Sequence, residues 1–238
     1  MNLRQVAFFL SALSLATGFA VTSARAETRV GEAAVVKNEV VSIVASGNSP
    51  INVGDGVLRD EVVHTGLDSA TRLVMADSTN LSLGPNSTMT LDRTVFNDEH
   101  SYRDIAIRLT TGAFRFVTGH SEKVAYKITT PVASIGVRGT ILDILAQRGR
   151  TTVVLQEGAS SVCTLSFQCV ELTQPGETAI ITTTGGRTTI TKASSSPWNF
   201  AAACAAAAGL CTVTDYADAT PPAAPAAPPV DDNGLCGR

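Results

Sequence analysis

Apolar and polar positions alternate with a period of two through most of this chain. Leu73 and Met75, Leu81 and Leu83, and Met89 and Leu91 keep that spacing, and Ile105, Ile107 and Leu109 repeat it. Successive side chains of a strand point to opposite faces, so this is the pattern of a sheet with one face buried. Turn-forming residues fall between the runs, at Asp77-Ser78 and Gly84-Pro85-Asn86. A β-branched stretch covers 40–45, and Asn48, Pro50, Gly54 and Gly56 punctuate the residues after it. Gly112 leads into Phe114 and Phe116, and Val124, Tyr126 and Ile128 carry the alternation forward. Segments 151–157, 170–172 and 179–183 continue it, with no amphipathic helix between them. Many short strands at regular intervals predict an all-β fold over 30–193: a sandwich, a roll or a short solenoid-like arrangement. A strict 20–30-residue repeat is missing, which weighs against a regular solenoid.

The two ends break the pattern. Arg4 precedes a mostly apolar stretch, 6–21, and Ala24-Arg25-Ala26 supplies the small-x-small motif that precedes a signal-peptidase cut. The stretch is shorter than the roughly 20 residues of a spanning helix. A cleaved signal peptide over 1–26 is expected, with a mature chain starting at Glu27 and no later membrane span. From Ser194 the composition shifts to alanine. Ser196-Pro197 reads as a helix cap and first turn, Trp198 and Phe200 as aromatics that dock the helix on the β domain, and Gly209 as its end. The expected helix covers 194–212, and the Pro/Ala-rich residues 213–238 form a flexible tail. Asp231-Asp232-Asn233-Gly234 begins like a calcium loop, but the rest of that pattern is missing.

Composition narrows the functional classes. Removing residues 1–26 takes away Arg4 and Arg25 and no acid, moving net charge from −3 to −5 (16 basic against 21 acidic residues). A mildly acidic chain without a basic cluster is a poor match for nucleic acid or an anionic membrane surface. All five cysteines lie beyond residue 160, in a chain expected to be exported. Cys163 and Cys169 flank a five-residue segment and are disulfide candidates. Cys204 and Cys211 would stand about 10 Å apart along one straight helix, so pairing them needs a turn at Gly209. Cys236 is left over, available for a disulfide-linked dimer. The spacings lack a tight CxxC knuckle and no histidine is near, which disfavours zinc.

Catalytic patterns are sparse. The three histidines, His64, His100 and His120, fall in a strand or turn, a charged loop and an apparent hairpin tip. The chain has no GxSxG elbow, HExxH or phosphate-cradling glycine loop. Asp55, Asp77 and Asp143 read individually as turn or strand residues rather than as paired carboxylates for glycoside hydrolysis. Arg138 lies within an apolar stretch, where a buried arginine would need Asp143, Glu157 or Glu177 as partner. No catalytic, cofactor or metal-ligating residue is expected.

Segment 127–140, KITTPVASIGVRGT, is the most distinctive of the chain. Thr130-Pro131 forces an extended conformation, Ile135 and Val137 alternate with Gly136 and Arg138, and Gly136 and Gly139 mark a bulge or a close backbone approach. Around it stand Val63-His64-Thr65-Gly66 before Arg72-Leu73, then Ala76-Asp77-Ser78-Thr79 before Leu81-Ser82-Leu83. Thr130-Pro131-x-Ala133 and Val137-Arg138-Gly139-Thr140 come next, then Glu157-Gly158 and Pro175-Gly176-Glu177. In this order, over roughly 50–185, the chain resembles the FecR domain, the periplasmic module of iron-citrate-type signalling regulators. Ser78 departs from that family's usual glycine.

The resemblance implies a periplasmic or secreted binding and regulatory module with a protein or envelope partner. Thr130, Pro131, Arg138, Gly139 and Thr140 are its motif residues here, and Arg138, Gly139 and Thr140 would maintain its surface. FecR regulators carry a cytoplasmic segment and a membrane span. Only five residues precede the apolar stretch here, so a cytoplasmic anti-sigma segment is not expected. The alternatives are a structural envelope protein cross-linked through Cys236, or a carbohydrate-binding or carbohydrate-active protein. One Trp and three Tyr are few for a sugar platform.

Overall fold

The structure is a computed structural model that describes residues 28–204 apart from 46, 99, 100 and 197. The expected signal peptide, His100, Cys211, Cys236 and the Pro/Ala tail lie outside these residues. Among the described residues the fold is all-β, as the alternation predicts, and its strands sort into two sheets.

Sheet I runs in the order β4 (Gly56–Leu58), β1 (Arg29–Lys37), β6 (Ala70–Met75), β7 (Asn80–Leu83), the second half of β9 (Ser101–Val117), β12 (Ile141–Gln147), β13 (Arg150–Glu157), β16 (Thr178–Thr184) and β17 (Arg187–Ala193). Sheet II runs β3 (Gly47–Pro50), β2 (Val40–Val44), β5 (Val62–Thr65), β8 (Thr88–Asp98), the first half of β9, β10 (Tyr126–Thr129), β11 (Ala133–Val137), β14 (Ser160–Thr164) and β15 (Cys169–Leu172). From β5 onward both orders keep to the sequence, so the chain builds the two layers in step. Neighbours are antiparallel except β9 and β10.

That exception originates in β9 itself. Its first half pairs with β8 and β10, and its last six residues pair with β7 and β12. The change of sheet occurs at Gly112 (φ 111°), where a Cβ would sit 2.2 Å from Ser87 Oγ. Only glycine fits both constraints. β9 therefore ends in sheet I, and the chain crosses back through a 3-10 turn (Lys123–Ala125) to lay β10 parallel to the start of β9.

One apolar core fills the space between the sheets, with Leu73, Leu83, Phe114 and Phe116 from sheet I against Met89, Ile107, Ile128 and Ile135 from sheet II. Phe116 and Tyr126 meet edge to face, centroids 5.5 Å apart. A void between the layers, lined by Leu81, Met89, Phe114 and Ile128, measures about 10 Å³, room for a single water at most.

Alternation alone would leave the outer face of sheet I in solvent, and the structure departs from that. All four residues of β7 and residues 151–155 of β13 are buried. Part of the cover is the segment after β17, which returns to the middle of the sheet. There Phe200 and Cys204 pack with Ala113, flanked by Leu145 and Trp198, so both aromatics dock as expected. The described helix, α1 (Phe200–Ala203), starts later than Ser196-Pro197 predicts. Asn199 is its cap, accepting from Ala202 N at 2.7 Å, whereas Ser196 Oγ accepts from Trp198 N.

Candidate functional site

The signature segment folds into a hairpin and a change of sheet. Thr130 N donates to Ala133 O at 2.9 Å, closing β10 onto β11, and Thr130 Oγ1 accepts from Ala133 N at 3.0 Å. The same hydroxyl lies 2.8 Å from Thr151 Oγ1, which ties the hairpin to β13 in the other sheet. Pro131 sits at the exposed tip. Gly136 lies in regular β11–β14 pairing, without a bulge. Beyond Val137 the chain crosses from sheet II to sheet I, and beyond Glu157 it crosses back.

These two crossings pack against each other. Arg138 N donates to Ala159 O at 3.0 Å, and Thr140 N donates to Thr118 Oγ1 at 2.8 Å. Gly139 and Gly158 both have positive φ (71° and 81°), and a Cβ on Gly158 would lie 1.9 Å from Gly139 O. The Val137-Arg138-Gly139-Thr140 and Glu157-Gly158 motifs are thus two halves of one backbone contact. An open cleft of about 430 Å³ lies beside it, lined by His120, Lys123, Gly139, Thr140 and Glu157 among others.

Arg138 is not the buried charge that its apolar neighbours suggest. Ile135 and Val137 face the core, so strand parity turns Arg138 outward. Its side chain is 64% exposed, and Nη1 stands 3.8 Å from Glu171 Oε2. The buried arginine is Arg115. Its Nε donates to Asp143 Oδ1 at 2.6 Å and its Nη2 to Oδ2 at 2.8 Å, both side chains almost fully buried on the outer face of sheet I. Asp143 also accepts from Gln156 Nε2 (2.9 Å) and from Phe200 N (3.2 Å). The Phe200 ring lies 5.5 Å from the guanidinium carbon. Every oxygen of the Asp143 carboxylate is engaged, which is what a carboxylate without water requires. The register pairs Arg115 with Asp143 directly across β9 and β12; a residue-by-residue reading cannot see that register.

The other singled-out residues hold turns. Thr65 Oγ1 donates to Gly84 O at 2.6 Å and accepts from Ser87 N at 2.9 Å. Asp77 Oδ1 accepts from Thr79 N, and Oδ2 accepts from the Tyr126 hydroxyl. Burial first, and then the hydrogen bond to Asp77, push the Tyr126 hydroxyl up to about 12. Asp55 Oδ2 accepts from Asn52 N at 2.7 Å. His64 Nδ1 lies 3.0 Å from Thr88 Oγ1 within sheet II, while His120 is exposed in the connection between the sheets rather than at a hairpin tip. Glu177 sits where Pro175-Gly176 predicts a turn. Lys192 Nζ, 2.7 Å away, and then Thr173 N hold its carboxyl down to about 2. Among the described residues no three His, Cys, Asp or Glu side chains converge as a metal site would need.

Cys163 and Cys169 form a disulfide, directly opposite each other on β14 and β15. Cys204 is also disulfide-bonded; Cys211, its expected partner, lies outside the described residues. The Cys163–Cys169 bridge closes a tip, 164–168, that the sequence marks only as a loop. Thr164 N donates to Gln168 O at 2.8 Å, Phe167 N donates to Thr164 O at 3.0 Å, and Gln168 N donates to Thr164 Oγ1 at 3.1 Å. From this braced turn Leu165 and Phe167 point into solvent, 61% and 88% exposed. Phe167 has φ 62°, a conformation that costs a non-glycine residue about 1 kcal/mol. The sequence signal for this tip is the absence of any charge over 158–170.

Residues 61–160 match the family described as FecR protein, a narrower span than the motifs suggest. No curated protein matches the sequence. Two crystal structures of a proposed anti-sigma factor from Parabacteroides distasonis are similar at 16% identity and a TM-score of 0.44, covering 55% of this chain and 58% of that one. The chain thus spans little more than half the length of that protein. The matched segment runs from the turn before β5 to the start of β14, and includes the Thr65 turn, the 76–79 hairpin, the Thr130 hairpin and both stacked crossings. Over residues 61–160 this chain is thus similar to the FecR family.

Proposed function

We propose that this chain is an exported, non-enzymatic regulatory module of the bacterial cell envelope that acts by binding another protein. The observation that carries this reading is the FecR match at 61–160. The geometry supports it, because the signature residues brace hairpins and crossings. Thr130, Gly139, Thr140 and Gly158 are engaged in backbone contacts, so the motif acts as a scaffold that fixes a surface. Among the described residues no helix is long and apolar enough to cross a membrane.

Export is tested by sequencing the N-terminus of the protein recovered from the periplasm or medium; Glu27 is the expected first residue. Regulation is tested by deleting the gene and profiling transcripts. A confined set of genes responds and is restored by the wild-type copy if the reading holds. No transcript change, together with covalent dimers lost in Cys236→Ala, would replace it with a structural envelope role.

A further inference from the structure

The geometry points to the disulfide-closed tip, Leu165 and Phe167, as the anchor that this module inserts into an apolar pocket of its protein partner. The inference rests on the binding reading above and names its contact. Two observations converge on it. An aromatic ring stands 88% exposed on a residue with φ 62°, where glycine or asparagine would sit with less strain. The chain keeps a phenyl group in a costly conformation that removes it from its own core. Backbone strain of this kind is retained where the surroundings enforce it, and it concentrates at functional sites. Secondly, the tip is already rigid: the Cys163–Cys169 bridge and the hydrogen bonds centred on Thr164 fix it before any partner arrives. An anchor held in its bound shape loses little entropy on docking, and exposed aromatics that fill pockets dominate interface energies.

The surroundings choose the occupant. Residues 158–170 carry no charge, and the chain is net negative. An anionic lipid surface would call for basic residues beside the apolar pair, and the tip has none. Neither open cleft among the described residues is an uncharged seat for a second copy's tip. Lys123 and Glu157 line one beside Val117 and Ile141, and Glu39 lines the other beside Val40, Val41 and Ile51. An apolar pocket on a different protein fits two uncharged, preorganised side chains.

The test places a photo-crosslinking phenylalanine analogue at Phe167 of the full chain in living cells, with the same analogue at exposed Thr189 on β17 as control. The protein joined only at 167 is then purified, and its affinity for the oxidised chain is measured. Phe167→Ala is expected to weaken binding at least 30-fold. Phe167→Gly should weaken it as much while raising the Tm by about 1–3 °C, so that lost binding cannot be blamed on lost folding. An adduct with lipid only, an adduct of twice the chain's mass, no adduct, or an affinity unchanged in Phe167→Ala would each overturn the proposal. Binding in purified components is independent of the transcript response. A chain that binds through the tip yet alters no transcripts would therefore count against the regulatory reading alone.

Discussion

Ser78 stands in the left-handed region (φ 65°) at the tip of the β6–β7 turn, its N–H donated to Met75 O at 2.9 Å. Glycine adopts that φ without the steric cost that a side chain pays. Ser78→Gly removes about 1 kcal/mol of backbone strain against a somewhat smaller entropic loss for glycine. The expected outcome is a Tm at or slightly above wild type by calorimetry; a clear fall would refute this account of the turn. Gly158→Ala works the other way, since its Cβ would meet the Gly139 carbonyl oxygen at 1.9 Å. A loss of at least about 2 kcal/mol in urea unfolding is expected from backbone shift and strain together. Arg115→Ala leaves Asp143 charged and buried, which costs about 3–5 kcal/mol. The double variant Arg115→Met with Asp143→Leu should be less destabilised than Arg115→Ala, and a double-mutant cycle decides it.

At the scale of elements, the sequence is legible wherever one strand face is buried and the other is wet. β11 shows this, with Ala133, Ile135 and Val137 inside and Ser134 and Gly136 outside. It is less legible in the middle of sheet I, where β7 and β13 are buried on both faces. Covering the outer face depends on a segment that returns from beyond β17, a contact between residues 57 apart in the case of Phe200 and Asp143. The same distance effect hides the partner of Asp143. A local reading offers Asp143 as one of three partners for Arg138, five residues away, while register delivers Arg115 from 28 residues away. The cysteine pair is readable because β14 and β15 are adjacent and the loop is short. Replacing both Cys163 and Cys169 by alanine should cost about 2 kcal/mol on the chain-entropy model, and hydrogen exchange should quicken first at 164–168. Unchanged exchange there would mean that the hydrogen bonds centred on Thr164 hold the tip unaided.

For the whole molecule, stability should decline at both extremes of pH, for different groups. Glu177 falls from the usual 4.5 to about 2 on folding. Its contribution is therefore complete above pH 4.5 and disappears as pH drops towards 2. Wild type should lose more stability between pH 5 and 2.5 than Lys192→Met, and equal losses would show that the Lys192 contact contributes nothing. Tyr126 rises from 10 to about 12, so its contribution is full below pH 10 and is lost between 10 and 12. Tyrosinate absorbance in wild type and Tyr126→Phe measures that shift directly. The stepwise order of the two sheets also has a mechanical meaning. β1 and β17 lie near opposite ends of sheet I, and inter-strand hydrogen bonds run perpendicular to the strands, hence along the line that joins those ends. A pulling force applied between Thr28 and Ala193 loads the bonds one row at a time, as in opening a zip, instead of shearing many together. The domain should yield at low force and in several small steps, without one sharp rupture.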